Sequence, residues 1–239
     1  MKLLTFNNAK TVKGEGYGYR TAIMYLAPSD ASGVTNTCKW ATRECRLLCL
    51  YNSGHSLVFK SVNKARIKRT KFMHENYPMF LEQLASEIQN HLVYCKKHRL
   101  IPCVRLNGTS DIYDEGFASI INNFPDIQFY DYSKDFNRVM RFLDEGMPDN
   151  YHLTYSHSEG RLEKSKAILQ HGGNVAVVFA VKRKENLPLT WQGFKVADGD
   201  INHLRFRNKS PYVIGLRSKG HATKAKSKLG AFVNPNQNT

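Results

Sequence analysis

Four short segments in the middle of the chain decide the fold: Cys103-Val104-Arg105-Leu106, Ile127-Gln128-Phe129-Tyr130, Tyr151-His152-Leu153-Thr154-Tyr155 and the apolar run Val175 to Val181. Each starts 24 residues after the one before. All are rich in the β-branched and aromatic residues that suit a pleated, half-buried surface. The stretches between them, Gly116 to Phe124, Phe136 to Glu145 and Arg161 to Gln170, are compatible with helices. Strand, helix, strand at this pitch predicts crossover units and a parallel sheet. No sequence motif recurs with the period, so the architecture repeats and the sequence does not.

Working outward, Thr21 to Leu26 predicts a first strand, stopped by Pro28. A long excursion with three cysteines follows, then a helix from about Leu57 to Met73. Pro78 opens a stronger helix in which Phe80, Leu84, Ile88, Leu92 and Cys95 form one apolar stripe, which assigns Cys95 to the core. Cys103, in a buried strand, is assigned there too. Gly193 to Ala197 and Tyr212 to Leu216 are further strand candidates. The expectation is an α/β protein: a partial (β/α) barrel of about six mostly parallel strands in a single domain over 1–239. A cysteine-containing cluster loop spans 27–56, and a basic, partly flexible segment spans 219–239. A doubly wound open sheet is the alternative. Both place functional groups at the carboxyl ends of the strands.

The chain has 239 residues, 41% of them hydrophobic, enough to bury a core without disulfide staples and too apolar for a disordered protein. Val175 to Val181 is far shorter than the roughly 20 residues a bilayer span needs, and Met1 to Lys10 holds no apolar stretch of signal-peptide length. A cytoplasmic protein without membrane attachment is expected. In a reducing compartment five cysteines are ligands, nucleophiles or buried thiols before they are a disulfide framework.

The net charge of +15 is unevenly spread. No acidic residue follows Asp200, while Arg205, Arg207, Lys209, Arg217, Lys219, Lys224, Lys226 and Lys228 supply eight cations; Lys60, Lys64, Arg66, Lys68, Arg69 and Lys71 form a second cluster on the helix expected there. The patches Lys60 to Lys71 and Arg205 to Lys228 suit DNA or RNA through counterion release, and equally suit a solvated surface or a phosphate-bearing small ligand.

Polar residues crowd the strand ends: Asn107, Thr109, Ser110 and Asp111, then Asp131, Ser133 and Lys134, then Ser156, His157, Ser158 and Glu159, then Lys182 and Arg183. In a parallel sheet these share one rim, and that convergence selects Asn107, Asp111, Asp131, Lys134, Ser156 and Lys182 as candidate ligand-orienting or catalytic residues. The cysteine loop opens onto the same rim. Cys38, Cys45 and Cys49 are separated by six and three residues. Cys45 and Cys49, if helical, share a face, and the longer gap lets Cys38 loop over to complete a three-thiolate tripod. Three soft thiolates with one open position suit a four-iron, four-sulfur (4Fe-4S) cluster, with Lys39, Arg43 and Arg46 favouring the anion; Tyr51, Asn52, Ser53 and Gly54 read either as lining its open face or as a plain loop. The alternatives are tetrahedral zinc completed by His55 and thiols that bind nothing. Asp198-Gly199-Asp200 reads either as a metal or substrate site or as a turn.

At these residues the sequence resembles the phage protein family known as gene product 88, whose function is poorly defined. The similarity lies in Thr37-Cys38-Lys39-Trp40-Ala41-Thr42, in Cys45, in Cys49-Leu50-Tyr51-Asn52-Ser53-Gly54, in Arg105-Leu106-Asn107, and in the block from Asp198-Gly199-Asp200 to Gly215-Leu216-Arg217-Ser218-Lys219-Gly220. In architecture the chain also looks like the radical S-adenosylmethionine superfamily, whose partial barrel carries a three-cysteine cluster loop after its first strand. That family spaces its cysteines by three and two residues and follows its second strand with a glycine-glycine-glutamate pattern; here Asn107-Gly108-Thr109-Ser110-Asp111 stands in that place. The resemblance therefore implies a cluster more firmly than it implies S-adenosylmethionine. Two functions are expected from these features: an iron–sulfur enzyme of radical or redox type, acting on a nucleotide, nucleic acid or small polar ligand, or a nucleic-acid-binding protein with a structural metal.

Overall fold

The spaced segments become parallel strands. The computed structural model describes residues 1–6, 11–49, 51, 59–182, 184–219 and 233–234. The first elements are β1 (Leu4–Thr5), α1 (Val12–Glu15), β2 (Tyr19–Met24) and α2 (Arg43–Leu47). Two long helices, α3 (Lys60–Glu75) and α4 (Tyr77–His98), lead to β3 (Ile101–Arg105). Then α5 (Glu115–Asn123), β4 (Gln128–Ser133), α6 (Phe136–Asp144), β5 (Tyr151–Ser156), α7 (Leu162–Gln170) and β6 (Val175–Phe179) alternate as expected. Strands β2 to β6 pair in sequence order, all parallel.

Beyond β6 the order changes. The hairpin of β7 (Thr190–Trp191) and β8 (Phe194–Asp198) precedes β9 (Val213–Arg217) in the chain, yet β9 lies beside β6, with β8 outside it. Because β8 and β9 are parallel, residues 199–212 return from the carboxyl end of β8 to the amino end of β9 across one sheet face. The Phe206 ring on this connector lies 5.4 Å from those of Tyr19 and Tyr130, and Lys13 Nζ donates to the Asp200 carbonyl oxygen at 3.3 Å. The α/β class with a mostly parallel sheet is as expected, and of the two architectures expected the strand path is that of a sheet not closed into a barrel. Seven parallel strands, against about six expected, run from β2 to β8 among the described residues, and the path ends at antiparallel β1 and β7. The sheet is open because the returning chain lies over its face and adds no closing strand.

Strand β10 (Val233–Asn234) pairs in parallel with Val178 and Phe179. Since β9 occupies one side of β6 from Val175 to Phe179, β10 takes the β5 side, beyond the short β5–β6 pairing at Tyr155 and Ser156. The Asn234 carbonyl oxygen accepts from the Ala180 N–H at 2.8 Å, and its side-chain oxygen accepts from Trp191 Nε1 at 3.3 Å.

The two sheet faces differ. One carries Ala22, Met24, Val104, Phe129, Leu153, Tyr155, Val175 and Val177, which pack with Phe80, Leu84, Ile88, Phe117, Ile121, Val139 and Ile168 from the helices. Each fully buried large side chain contributes about 1.5–3 kcal/mol, so this layer holds the fold together. The apolar stripe of α4 is buried as its spacing predicts, Cys95 included, and Cys103 is buried with it. The inner face, crossed by the 199–212 connector, is more polar: Thr21 Oγ1 and Tyr130 OH lie 3.2 Å apart on it. Among the described residues no helix is long and apolar enough to cross a membrane.

Caps fix the helix starts next to the strand ends. Asp114 accepts from the Phe117 N–H at 3.0 Å to start α5, and Asp135 accepts from the Arg138 N–H at 3.2 Å to start α6. The turn after β3 leaves no room for a side chain at Gly108, where a Cβ would stand 2.7 Å from Ile23 Cγ2, the Met24 carbonyl oxygen and Tyr25 Cδ1. Gly108→Ala should therefore push the ends of β2 and β3 apart and cost about 1–3 kcal/mol in urea unfolding. An unchanged midpoint would contradict this packing.

Candidate functional site

The loop that leaves β2 is strapped across the carboxyl ends of its neighbours. Thr37 Oγ1 donates to the Ala27 carbonyl oxygen at 2.6 Å, and Thr37 in turn accepts, at its own carbonyl, from the Asp111 N–H at 2.8 Å. Thr109 Oγ1 donates to the Leu26 carbonyl oxygen at 2.6 Å. Farther along, the Glu159 carboxylate after β5 accepts from Thr42 Oγ1 at 2.6 Å and from the Glu44 N–H at 2.7 Å. Thr42 is also the cap of α2, accepting from the Cys45 N–H at 3.4 Å. The loop thus spans from the β3 turn to the β5 turn, and it carries Cys38, Cys45 and Cys49 over the strand ends.

All three thiols are half-buried and free of disulfides. Cys38 Sγ donates to the Thr109 carbonyl oxygen at 3.5 Å, and the Tyr51 N–H donates to Cys49 Sγ at 3.5 Å. Burial pushes the Cys38 thiol up to about 11, with Asp111 and Cys49 adding to the rise against hydrogen bonds at Ser29 and Thr37. Burial also raises Cys45 and Cys49; Lys134 lowers both, Arg66 lowers Cys49, and the Cys45 sulfur raises Cys49. Each sulfur therefore feels a neighbouring thiol or the same lysine, which puts the trio in one electrostatic neighbourhood. Among the described residues no three His, Cys, Asp or Glu side chains are placed to hold a single metal ion. The helix expected to carry both Cys45 and Cys49 ends at Leu47, its Leu48 N–H capping back to the Glu44 carbonyl, so Cys49 lies just beyond it.

The six rim residues separate into three groups. Asp111, Lys134 and Ser156 meet beneath the cysteine loop. Asp111 accepts from Ser133 Oγ and the Lys134 N–H, both at 2.8 Å, and pairs with Arg138 NH1 at 3.3 Å. Lys134 Nζ donates to Ser156 Oγ at 2.7 Å and to the Ser156 and His157 carbonyl oxygens at 3.2 and 3.3 Å. Asn107 and Asp131 lie underneath as scaffolding. The Asn107 N–H and Nδ2 donate to the two Asp131 oxygens at 2.9 and 3.2 Å, while Asn107 Oδ1 accepts from Ser110 Oγ and the Ile112 N–H. Lys182 stands apart on the surface, its Nζ 3.9 Å from Glu185. Of the residues expected to line the open face, the Tyr51 ring lies 5.5 Å from the Arg66 guanidinium; Asn52, Ser53 and Gly54, like His55, lie outside the described residues.

Burial pushes the carboxyls of Asp111 and Asp131 above the usual range, while Arg138 acts to hold both down and Arg105 does so at Asp131. Removing one partner of a buried pair such as Asp111–Arg138 costs about 3–5 kcal/mol. Arg138 and Glu159 organise the rim, yet neither stood out from the sequence: Arg138 is hidden in a helix, and Glu159 reads as one more polar loop residue. Arg66, one of the cations assigned to phosphate contact, is buried, with its guanidinium 5.2 Å from the Tyr25 ring.

The basic patches divide in the same way. Lys60, Lys64, Lys68 and Lys71 are exposed along α3, whereas Arg205 is buried with NH2 directed at the Gly199 and Asn202 carbonyl oxygens. Arg217 NH1 spans both Asp198 oxygens at 2.9 and 2.8 Å, its N–H donates to Asp200 Oδ2 at 2.9 Å, and Lys219 donates to Asp200 Oδ1 at 2.5 Å. Asp198-Gly199-Asp200 is thus a turn locked onto β9. Lys224, Lys226 and Lys228 lie outside the described residues.

A family model described as gene product 88 matches residues 2–232. No curated protein and no solved structure matches the chain.

Only the thiolate is nucleophilic, so burial should make Cys38 slow to alkylate. In the metal-free chain at pH 8, iodoacetamide should label Cys38 about 100-fold more slowly than free cysteine, read by peptide mass spectrometry. Labelling at the free-thiol rate would show that Cys38 is open to water.

Proposed function

The chain belongs to the gene product 88 family, and we propose that it is an iron–sulfur protein whose cluster is held by Cys38, Cys45 and Cys49 over the carboxyl ends of β2 to β5. The observation that carries this reading is the strapped loop, which delivers three undisulfided thiols to one rim beside Lys134 and Arg66. The donor chemistry fits: soft sulfurs suit iron–sulfur clusters and suit hard cations poorly. A cluster spreads its sulfur ligands farther apart than one ion does, so it does not require the three thiols to meet at a single-ion distance. Ligation displaces the thiol protons that burial retains, and the nearby cations offset the resulting negative charge.

When bound, such a cluster supplies electron transfer, or polarises a molecule at an iron left open by a three-thiolate set. The protein's own part is positional. Glu159 and Asp111 hold the loop in place, Lys134 and Ser156 present a polar floor, and the loop shields the strand ends from water. Radical chemistry on S-adenosylmethionine and simple redox chemistry on a polar or nucleotide ligand both fit this arrangement.

Anaerobic reconstitution with iron and sulfide should yield a brown protein with about four irons per chain, and Cys45→Ser should lower that content. Electron paramagnetic resonance of the reduced protein separates the two chemistries: a signal that shifts on adding S-adenosylmethionine supports the radical route, and an unmoved one supports electron transfer. A colourless, iron-free product overturns the cluster, and stoichiometric zinc in its place supports a structural metal.

A second reading, nucleic-acid binding, is favoured by the exposed stripe Lys60, Lys64, Lys68 and Lys71 on α3. If it contacts phosphates, the double variant Lys64→Gln/Lys68→Gln should reduce the slope of log affinity against log salt by about 2 for single- or double-stranded DNA. An unaltered slope assigns these lysines to solvent.

A further inference from the structure

Arg105 is the last residue of β3, and its side chain lies on the inner face of the sheet, below the cysteine loop. Its guanidinium carbon is 5.0 Å from the Tyr132 ring centroid and 5.7 Å from that of Tyr130. Among the described residues it forms no ion pair. Its one hydrogen bond there runs from NH2 to the Asn107 carbonyl oxygen at 3.3 Å, and its Nε has no partner. The field of Asp131 reaches it, but both Asp131 oxygens are engaged by Asn107. One strand beyond Tyr132, in register with it, Thr154 is fully buried and its hydroxyl is also unpartnered. Buried polar atoms are almost always satisfied, and a buried cation without a carboxylate is costly. Two such groups on one face, on the strands either side of β4, with the Arg105 guanidinium reaching over β4 under a candidate reaction centre, mark a place built for a missing acceptor.

We propose that the inner face holds an oxyanion, the carboxylate or phosphate group of a small-molecule substrate, with Arg105 as its main donor and Thr154 as a second. A guanidinium offers paired N–H donors in a plane that matches such oxyanions, and aromatic faces hold that plane without competing for the donors. The proposal names the ligand class for the rim described above and rests on the cluster reading only for where the reacting end of the ligand lies. Anion binding by itself requires no iron.

The test is calorimetric titration of the full metal-free chain, with inorganic phosphate in one arm and acetate in the other. Saturable binding at one site is expected in at least one arm; phosphate alone indicates a phosphorylated ligand, and acetate alone a carboxylic acid. Arg105→Met should weaken that binding about tenfold or more, and Thr154→Val about threefold, whereas Lys195→Gln on the exposed surface of β8 leaves it unchanged. Arg105→Met should also melt no lower than the parent, since an apolar side chain of similar length replaces an unpaired buried charge. The proposal is overturned if neither anion saturates, or if Arg105→Met binds as the parent does. Should Arg105→Met fail to fold, the decision passes to Thr154→Val, whose unaltered binding overturns it. Iron uptake without anion binding removes this site and keeps the cluster; anion binding without iron uptake does the reverse.

Discussion

Asp131 is 1% exposed at the end of β4 and receives both the backbone and the side-chain amide of Asn107. The rest of the rim depends on that contact. A carboxylate removed from water must find donors, and the donors it finds fold the β3 turn into a shape that sends Thr109 and Asp111 up toward the cysteine loop. Asp111 then gathers Ser133, Lys134 and Arg138, and Lys134 reaches across to Ser156. Each link hands a fixed position to the next strand, so the rim behaves as one hydrogen-bonded belt.

The belt also explains why the cysteine loop needs no regular structure of its own beyond α2. Its backbone is tied at Ala27 to Thr70 of α3, at Thr37 to Asp111 after β3 and at Glu44 to Glu159 after β5. The sulfurs are thereby positioned by their surroundings. That suits ligands whose protons must leave on binding, because the scaffold persists through the change in charge.

Much of the fold could be read from the sequence because a parallel strand buried on both faces has a dense apolar and β-branched signature, and Cys103, Ile127, Tyr151 and Val175 repeat it at constant pitch. The α4 stripe of Phe80, Leu84, Ile88, Leu92 and Cys95 was equally plain, since helical period and burial coincide there. The choice between a partial barrel and an open sheet was not, because closure depends on where residues 199–212 travel, and a connector lying over a sheet face looks like any loop. The site was legible in part. Convergence at strand ends is visible in the structure for Asp111, Lys134 and Ser156, which meet through hydrogen bonds, whereas spacing carried no signal that Asn107 and Asp131 bond to each other beneath them. Charge counting misplaced Arg66 and Arg205 for a related reason: a guanidinium carries enough apolar and planar surface to be buried against tyrosines or carbonyls. What remained outside as an exposed basic stripe is lysine.

Strand β10 carries a consequence for how the molecule comes into being. Residues 233–234 follow β6 by a long stretch of chain yet fill the seam between β5 and β6, where Asn234 accepts hydrogen bonds from the Ala180 N–H and Trp191 Nε1. That contact joins residues far apart in sequence, so its loop-closure cost places it after the pairing of consecutive strands β2 to β6 in folding.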